Sequence, residues 1–288
     1  MDYLFLDTFA LAQLTKSHCD LLAGFLKKHQ LYLVISTLQL MEYYSPILEA
    51  NDRTDRAVYL LTDHPFVIAD VHDIFNKEEE AYPAILKALP FRLNSRDVLD
   101  QHSAEDKTQI LFKIFHHGIP EGGYHLADWA VRNNEQKKDW PDHVAAIIKN
   151  AEEKYLIKSK AKFLESHDLR FCWQIVDAIE NLNKPALQDK NFKRSIQKLA
   201  QMRERKDTWR MRGIHLTSLL FWYDYIIAKK KIKPSDEGDF MHSFFFPYCK
   251  YVVTDNSRVD CLQTIQRKEE KYKEVTFLNM ADFTKIIK

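Results

Sequence analysis

Two hydrophobic periods alternate along this chain. Tyr3-Leu4-Phe5-Leu6, Leu31 to Ile35 and Phe66-Val67-Ile68-Ala69 are short, continuous apolar runs. Runs of that length and character read as strands buried on both faces. Between them the spacing changes to the helical one. Residues 8–29 carry Leu11, Leu14, Leu21, Leu22, Phe25 and Leu26 as one stripe, with Thr8 placed to cap the helix. Ser36 or Thr37 caps a next helix bearing Leu38, Leu40, Met41 and Tyr44. Residues 53–62 and 70–89 also read as helical, with Glu78, Glu79 and Glu80 on an exposed face. Strand and helix in alternation predict a parallel sheet with crossover helices.

The middle of the chain differs. From about residue 98 to 230 the helical period dominates and no strand pattern stands out. Gly118-Ile119-Pro120-Glu121-Gly122-Gly123 is the clearest turn cluster and predicts a break between two helices. Strand character returns at Tyr251–Thr254, followed by a helix over 257–272, a strand at Val275–Asn279 and a short terminal helix. The expected organisation is an α/β domain over 1–95 and 215–288, interrupted by a helical insertion over 96–214.

Composition supports a packed core, since 45% of residues are apolar and 29% charged. No stretch reaches the apolar length needed to cross a bilayer, and no basic leader opens the chain. Cys19, Cys172, Cys249 and Cys261 form no CxxC pair and read as reduced thiols, so a cytoplasmic location is expected. The net charge of +1 conceals an asymmetry. Residues 1–106 hold 17 Asp and Glu against 9 Lys and Arg, while residues 190–233 hold 13 Lys and Arg against 3 Asp and Glu. Basic runs often serve only as solvated helix faces. Beside a carboxylate site, one would also attract a polyanion.

The carboxylates supply the candidate chemistry. Asp7 ends the first apolar run, and Glu42 lies early in the helix after the second. Asp236 and Asp239 fall in Ser235-Asp236-Glu237-Gly238-Asp239-Phe240-Met241-His242, and Asp255 ends the Val-Val-Thr run. Ligands bind outside the carboxyl ends of strands in open α/β sheets, so acids at those tips can share a divalent cation. Mg²⁺ uses a few carboxylates and retains waters, and such ions activate water for in-line displacement at phosphorus. Each acid has a plainer role open to it. Asp7 could cap the first helix, Asp236 and Asp239 could interact with a helix dipole, and Asp255 could form a turn with Asn256.

Asp7-Thr8-Phe9, Glu42 and Asp239-Phe240-Met241-His242, leading into Phe246-Pro247-Tyr248-Cys249-Lys250-Tyr251-Val252-Val253-Thr254-Asp255-Asn256, resemble the PIN-like nuclease superfamily. The resemblance covers roughly residues 1–90 and 215–288. It implies a Rossmann-like three-layer α/β/α domain and metal-dependent endonucleolysis, usually of RNA. Carried over residue by residue, it implies that Asp7, Glu42, Asp239 and Asp255 are catalytic and hold Mg²⁺ or Mn²⁺. Asp236 would share or replace Asp239. His242, one turn from Asp239, could by its position orient a carboxylate or contact a phosphate, or equally be a histidine packed at a helix–sheet contact. Lys250 departs from the pattern, since relatives often carry an acid there. A role in toxicity or phage defence, and a regulatory protein partner or homo-oligomer, are expectations from relatives.

Two further clusters matter. His116, His117 and His125 surround the glycine-rich turn, but their spacing fits no standard zinc set and they read as an exposed loop. Arg203, Arg205, Lys206, Arg210 and Arg212 surround Trp209. Cations there would hold a phosphate backbone while the indole stacks on an unpaired base; a helix with Trp209 turned inward is the plainer reading. No Walker loop, GxGxxG or Ser-His-Asp elbow occurs. The expected function is therefore a metal-dependent endoribonuclease. The alternatives are a scaffold of the same fold that binds RNA or protein without catalysis, and a structure-specific DNA nuclease.

Overall fold

The computed structural model describes residues 1–43, 58, 60–81, 84–117, 137–142, 144–146, 148–149 and 210–288. The glycine-rich turn lies outside them. Two compact units divide the chain. The first comprises 1–73, 88–134 and 245–288, and the second comprises 74–87 and 135–244.

The first unit is α/β. It opens with β1 (Asp2–Leu6), α1 (Thr8–Gln13), α2 (Lys16–His29), β2 (Leu31–Ser36), α3 (Thr37–Tyr43) and β3 (Phe66–Ala69). Then come the first residues of α4 (Val71–Ala81), most of which belongs to the second unit, and β4 (Leu93–Asn94), α5 (Ser95–Leu99) and α6 (Ala104–His117). Among the described residues the sheet has six strands, and the last two are β5 (Tyr251–Val253) and β6 (Thr276–Leu278). The spatial order is β4-β3-β2-β1-β5-β6, parallel throughout except for β4 against β3. Helices lie on both sides of it. The α/β expectation holds at this level. The antiparallel β4 is an addition, because two residues are too few to show any period in sequence.

The strands are buried along nearly their whole length, as parallel strands flanked by helices must be. Successive side chains alternate faces. Leu4, Leu6, Leu33, Ile35, Phe66, Ile68 and Val253 join one core with Leu22, Phe25, Leu26, Leu111, Ile114, Phe283 and Ile287. Phe283 comes from α10 (Met280–Ile287), and its ring meets Phe25 edge-on at 6.0 Å. Phe5 points the other way and stacks on Phe245 at 5.8 Å. Complete burial of each such side chain stabilises the fold by about 2 kcal/mol. Leu111 and Ile114, from the stretch assigned by pattern to the helical insertion, pack in this α/β core.

Three local expectations change. Residues 8–29 are two helices rather than one. Leu14 adopts an extended backbone and Thr15 starts α2 with a capping box to His18, a break hidden inside a continuous leucine stripe. The helix predicted over 70–89 ends at Ala81, short of Pro83, which cannot donate into a helical ladder. His116 and His117 end α6 and are not in a loop; His125 lies outside the described residues.

The second unit is helical in its described residues. It contains most of α4, helical residues between 137 and 149, α7 (Arg212–Phe221), a π-helical continuation (Trp222–Ile227) and α8 (Asp236–Ser243). Its core gathers aromatic rings: Phe240 meets Trp140, Phe221 and Tyr225 at 6.1, 5.6 and 5.4 Å. Glu78 is 2% exposed, not on an open face as expected. Its Oε1 accepts from Gly213 N–H at 2.5 Å and its Oε2 from Ile214 N–H at 3.3 Å. The carboxylate thus caps α7 from another helix, where Met211 offers no side-chain cap. Gly213 is required there, since a Cβ would stand 2.8 Å from Phe244 O.

No helix among the described residues is long and apolar enough to cross a membrane. Cys19, Cys249 and Cys261 carry no disulfide.

Candidate active site at the carboxyl edge of the sheet

Strand order turns around at β1. The chain moves from β1 through β2 to β3 on one side, then returns to β5 on the other. That reversal is where open α/β sheets bind ligands. Asp7 leaves the tip of β1 and Asp255 the tip of β5, so the two flank the switch point.

Local chemistry holds Asp7 there. Its N–H donates to Val253 O at 2.9 Å, continuing the β1–β5 ladder. Its Oδ1 accepts from Phe9 N–H at 3.0 Å, so Asp7 and not Thr8 is the cap of α1. Its Oδ2 accepts from the Thr254 hydroxyl at 2.8 Å. Thr8 instead donates its hydroxyl to Glu42 Oε2 at 2.5 Å, tying α3 to the first turn of α1. Asp7, Thr8 and Glu42 are all half-buried. Asp255 caps the helix that follows β5, α9 (Asn256–Glu269), by accepting from Arg258 N–H at 3.0 Å.

Gln39 fixes the neighbouring strand. It is fully buried; its Nε2 donates to Leu6 O at 2.7 Å and its Oε1 accepts from Ser36 N–H at 3.0 Å. Ser36 Oγ in turn accepts from Gln39 N–H and caps α3. The tips of β1 and β2 are thereby clamped beside Asp7.

A third strand-tip acid lies two strands away. Asp70 follows β3 and is 7% exposed. Its Oδ1 accepts from His72 N–H at 2.8 Å and lies 3.0 Å from His72 Nδ1. Thr37 donates to its Oδ2 at 2.9 Å, and Arg92 approaches that oxygen at 3.5 Å. Arg92 also grips both oxygens of Asp73, at 2.7 and 3.2 Å. Burial alone would raise the Asp70 pKa, but the His72 hydrogen bond and the His72 and Arg92 charges bring it down to about 2. Burial would lower the pKa of His72, but the same bond and the Asp70 charge together raise it above its ordinary value.

The remaining sequence candidates belong to the other unit. Asp236, Asp239 and His242 lie on α8 in the second unit, not in the α/β unit with Asp7, Glu42 and Asp255. Asp236 is 4% exposed, and its Oδ2 accepts from the Tyr225 hydroxyl at 2.8 Å and from Lys233 N–H at 2.9 Å. Those bonds close the turn before α8 and give Asp236 a structural role. His242 is buried and Asp239 half-buried. Glu237, unremarked in sequence, is also buried, and desolvation pushes its carboxyl up to about 7 despite the Lys137 charge. Arg210 and Arg212 are half-buried at the start of α7. Arg203, Arg205, Lys206 and Trp209 lie outside the described residues.

Pattern reading missed Thr8, Gln39, Asp70 and Thr254 as site residues. Asp70 had the same signal as Asp7, an acid directly after an apolar run. The hydroxyls and the amide had none, because their roles arise only when distant strand tips meet.

Among the described residues, no three His, Cys, Asp or Glu side chains converge as a ready-made metal site. What the α/β unit offers is the Asp7 carboxylate, held by a hydroxyl and a backbone amide, and the Glu42 carboxylate hydrogen-bonded to the adjoining residue, Thr8. Each carboxylate oxygen has more than one lone pair, so these bonds leave capacity for a hard cation. That set fits Mg²⁺, which binds through one or two carboxylates with water and substrate phosphate completing its shell. No family model, curated protein or solved structure matches this chain.

Proposed function

We propose that the chain is a divalent-metal-dependent, PIN-like endonuclease that hydrolyses phosphodiester bonds, with RNA as substrate. One observation carries the reading: Asp7 stands at the β1–β5 switch point, with its carboxylate met by the Thr254 hydroxyl and the Phe9 N–H. Asp7 and Glu42 would hold Mg²⁺ or Mn²⁺, with Asp255 acting directly or through water. The ion supplies water activation and stabilises charge at phosphorus. Thr254 and Thr8 fix the rotamers of Asp7 and Glu42, so the oxygens are oriented before the ion arrives. Gln39 keeps the two strand tips from spreading. Basic residues between Lys190 and Lys233, Arg210 and Arg212 among them, would guide the strand.

The test is cleavage of single-stranded RNA by purified protein in Mn²⁺, and by Asp7→Asn. Asn can still accept from Phe9 N–H, so the helix cap and the fold persist. Activity is expected to fall by more than about 100-fold, beyond what loss of an outer-shell partner costs. Undiminished cleavage by Asp7→Asn, or by wild type in EDTA, would overturn the reading.

Among the described residues no third ligand converges with a pair of acids, and the second reading is a binding scaffold of the same fold without catalysis. Calorimetric titration separates the two, since a scaffold takes up no Mn²⁺ at Asp7.

A further inference from the structure

One aromatic stands in water beside the candidate carboxylate. Phe9 is 57% exposed, although it lies two residues from Asp7 in the first turn of α1. That helix buries Ala10 and Leu11, and Leu14 at its C-cap is buried as well. Phe9 is on the other face. The first turn of a helix favours acidic or straight-chain residues, and a phenyl ring left in water contributes little of what its burial would. Neither helix formation nor packing accounts for an aromatic at this position. A lone exposed apolar side chain is ordinary on a protein surface. This one is set apart by what its backbone does.

The Phe9 N–H donates to Asp7 Oδ1 at 3.0 Å, so the carboxylate and the root of the aromatic side chain are pinned together. Asp7 Oδ2 accepts from the Thr254 hydroxyl at 2.8 Å, and the Asp7 N–H continues the β1–β5 ladder. Both bonds fix the pair at the switch point. Thr8, between them in sequence, ties the same turn to Glu42. In a helix each Cα–Cβ bond tilts back toward the N-terminus. The Phe9 stem therefore leans toward the tip of β1, the side on which Asp7 stands, and the ring is attached directly beside the carboxylate.

We infer that Phe9 is a stacking platform for the unpaired base adjoining the phosphate that Asp7 would engage, which makes the site selective for single-stranded nucleic acid. The inference rests on the nuclease reading for its ligand class. A phosphodiester drawn to Asp7 brings its flanking nucleosides to the first turn of α1, where the ring is open. Every base has a π-face, so stacking there is tolerant of sequence. A base inside a duplex has both faces covered by its neighbours and reaches the ring only when splayed out. Phe9 moves no proton and holds no ion. Its loss therefore weakens substrate binding and leaves the chemical step alone, which raises KM and not kcat. Because the ring is mostly in water, its removal leaves the core intact.

The experiment has a kinetic arm and a binding arm, both on the full chain. In Mn²⁺, Phe9→Ala should raise KM for a short oligouridylate at least about fivefold, the low end for one lost stacked base, with kcat within about twofold of wild type. Phe9→Leu keeps an apolar side chain but has no π-face, and it should show the same split. Wild type should cut an RNA duplex of equal length at least about tenfold less efficiently, because the base must first leave the stack. In the binding arm, Phe9→Trp places an indole on the platform. Its fluorescence, taken as the difference from wild type because the chain holds five tryptophans, should be quenched by the oligouridylate in Ca²⁺. The inference falls if either Phe9→Ala or Phe9→Leu keeps the wild-type KM, if wild type cuts the duplex as well as the single strand, or if Phe9→Trp is not quenched. Failure of the nuclease reading looks different: wild type shows no Mn²⁺-dependent cleavage at all. The Phe9→Trp signal then decides alone, quenching upholding the platform and its absence sinking it.

Discussion

Asp7 and Asp70 occupy equivalent places in the fold. Each follows a parallel strand, and each accepts the N–H two residues on at the start of the next helix. Asp255 after β5 and Ser36 at the end of β2 cap in a related way, each accepting the N–H three residues on. What differs is the company each acid keeps. Asp70 is surrounded by His72 and Arg92, and its charge is already compensated inside the protein. Asp7 is held by a hydroxyl and a backbone amide, which orient it without neutralising it. An acid at a strand tip is thus a helix cap first. Whether it can also recruit a cation depends on whether the fold has already supplied one.

That contrast is testable in one titration series. Wild type, Asp7→Asn and Asp70→Asn should be compared for Mn²⁺ uptake by calorimetry. Asp7→Asn should lose more than about 100-fold in affinity, whereas Asp70→Asn should stay within about threefold of wild type. Equal losses in the two variants would erase the distinction drawn between the tips.

The sequence made one level of this arrangement legible. Continuous apolar runs at 3–6, 31–35, 66–69 and 251–254 mark strands because burial on both faces leaves no alternation to confuse them. Acids just beyond those runs were readable as caps or ligands. Partner chemistry was not readable. Thr254 reaches Asp7 across 247 positions of chain, and Arg92 reaches Asp73 from 19 residues away. Glu78 looked like one of three exposed glutamates, yet it caps a helix 135 residues distant. Helical periodicity reports which face is apolar, and it cannot report that another element needs an acceptor on the polar face. The α1–α2 break escaped for a related reason: Leu11 and Leu14 stay in phase with the leucines of α2 although the backbone between them is extended.

Stability sharpens the comparison at the next scale. Asp70 titrates near 2 in the fold against an ordinary 3.8. A depressed carboxyl pKa contributes stability that is present above pH 4 and is lost as pH falls through about 2. A shift of that size corresponds to roughly 2 kcal/mol. Asp70→Asn should therefore unfold about 2 kcal/mol more easily in urea at pH 7, and the deficit should shrink steadily from pH 4 to pH 2. Asp7→Asn, which keeps its cap and loses no cationic partner, should cost under about 1 kcal/mol at either pH. A larger cost at Asp7 than at Asp70 would reverse the assignment of which acid is structural.

The smallest expected effect comes from the opposite end of the same strands. Lys250 precedes β5, donates its backbone N–H to Tyr3 O and pairs its ammonium with Asp2 at 3.2 Å. Both side chains are well exposed, so solvent and salt screen the pair, and it contributes at most about 0.5 kcal/mol. Lys250→Ala should leave unfolding, Mn²⁺ uptake and RNA cleavage within error of wild type. The variant is informative because β1 and β5 are the strands that carry Asp7 and Asp255. If chemistry belongs to their carboxyl ends, a charge removed at their amino ends changes nothing. A several-fold loss of cleavage in Lys250→Ala, with stability unchanged, would mean that substrate lies along the other edge of the sheet and that the switch-point site is misassigned.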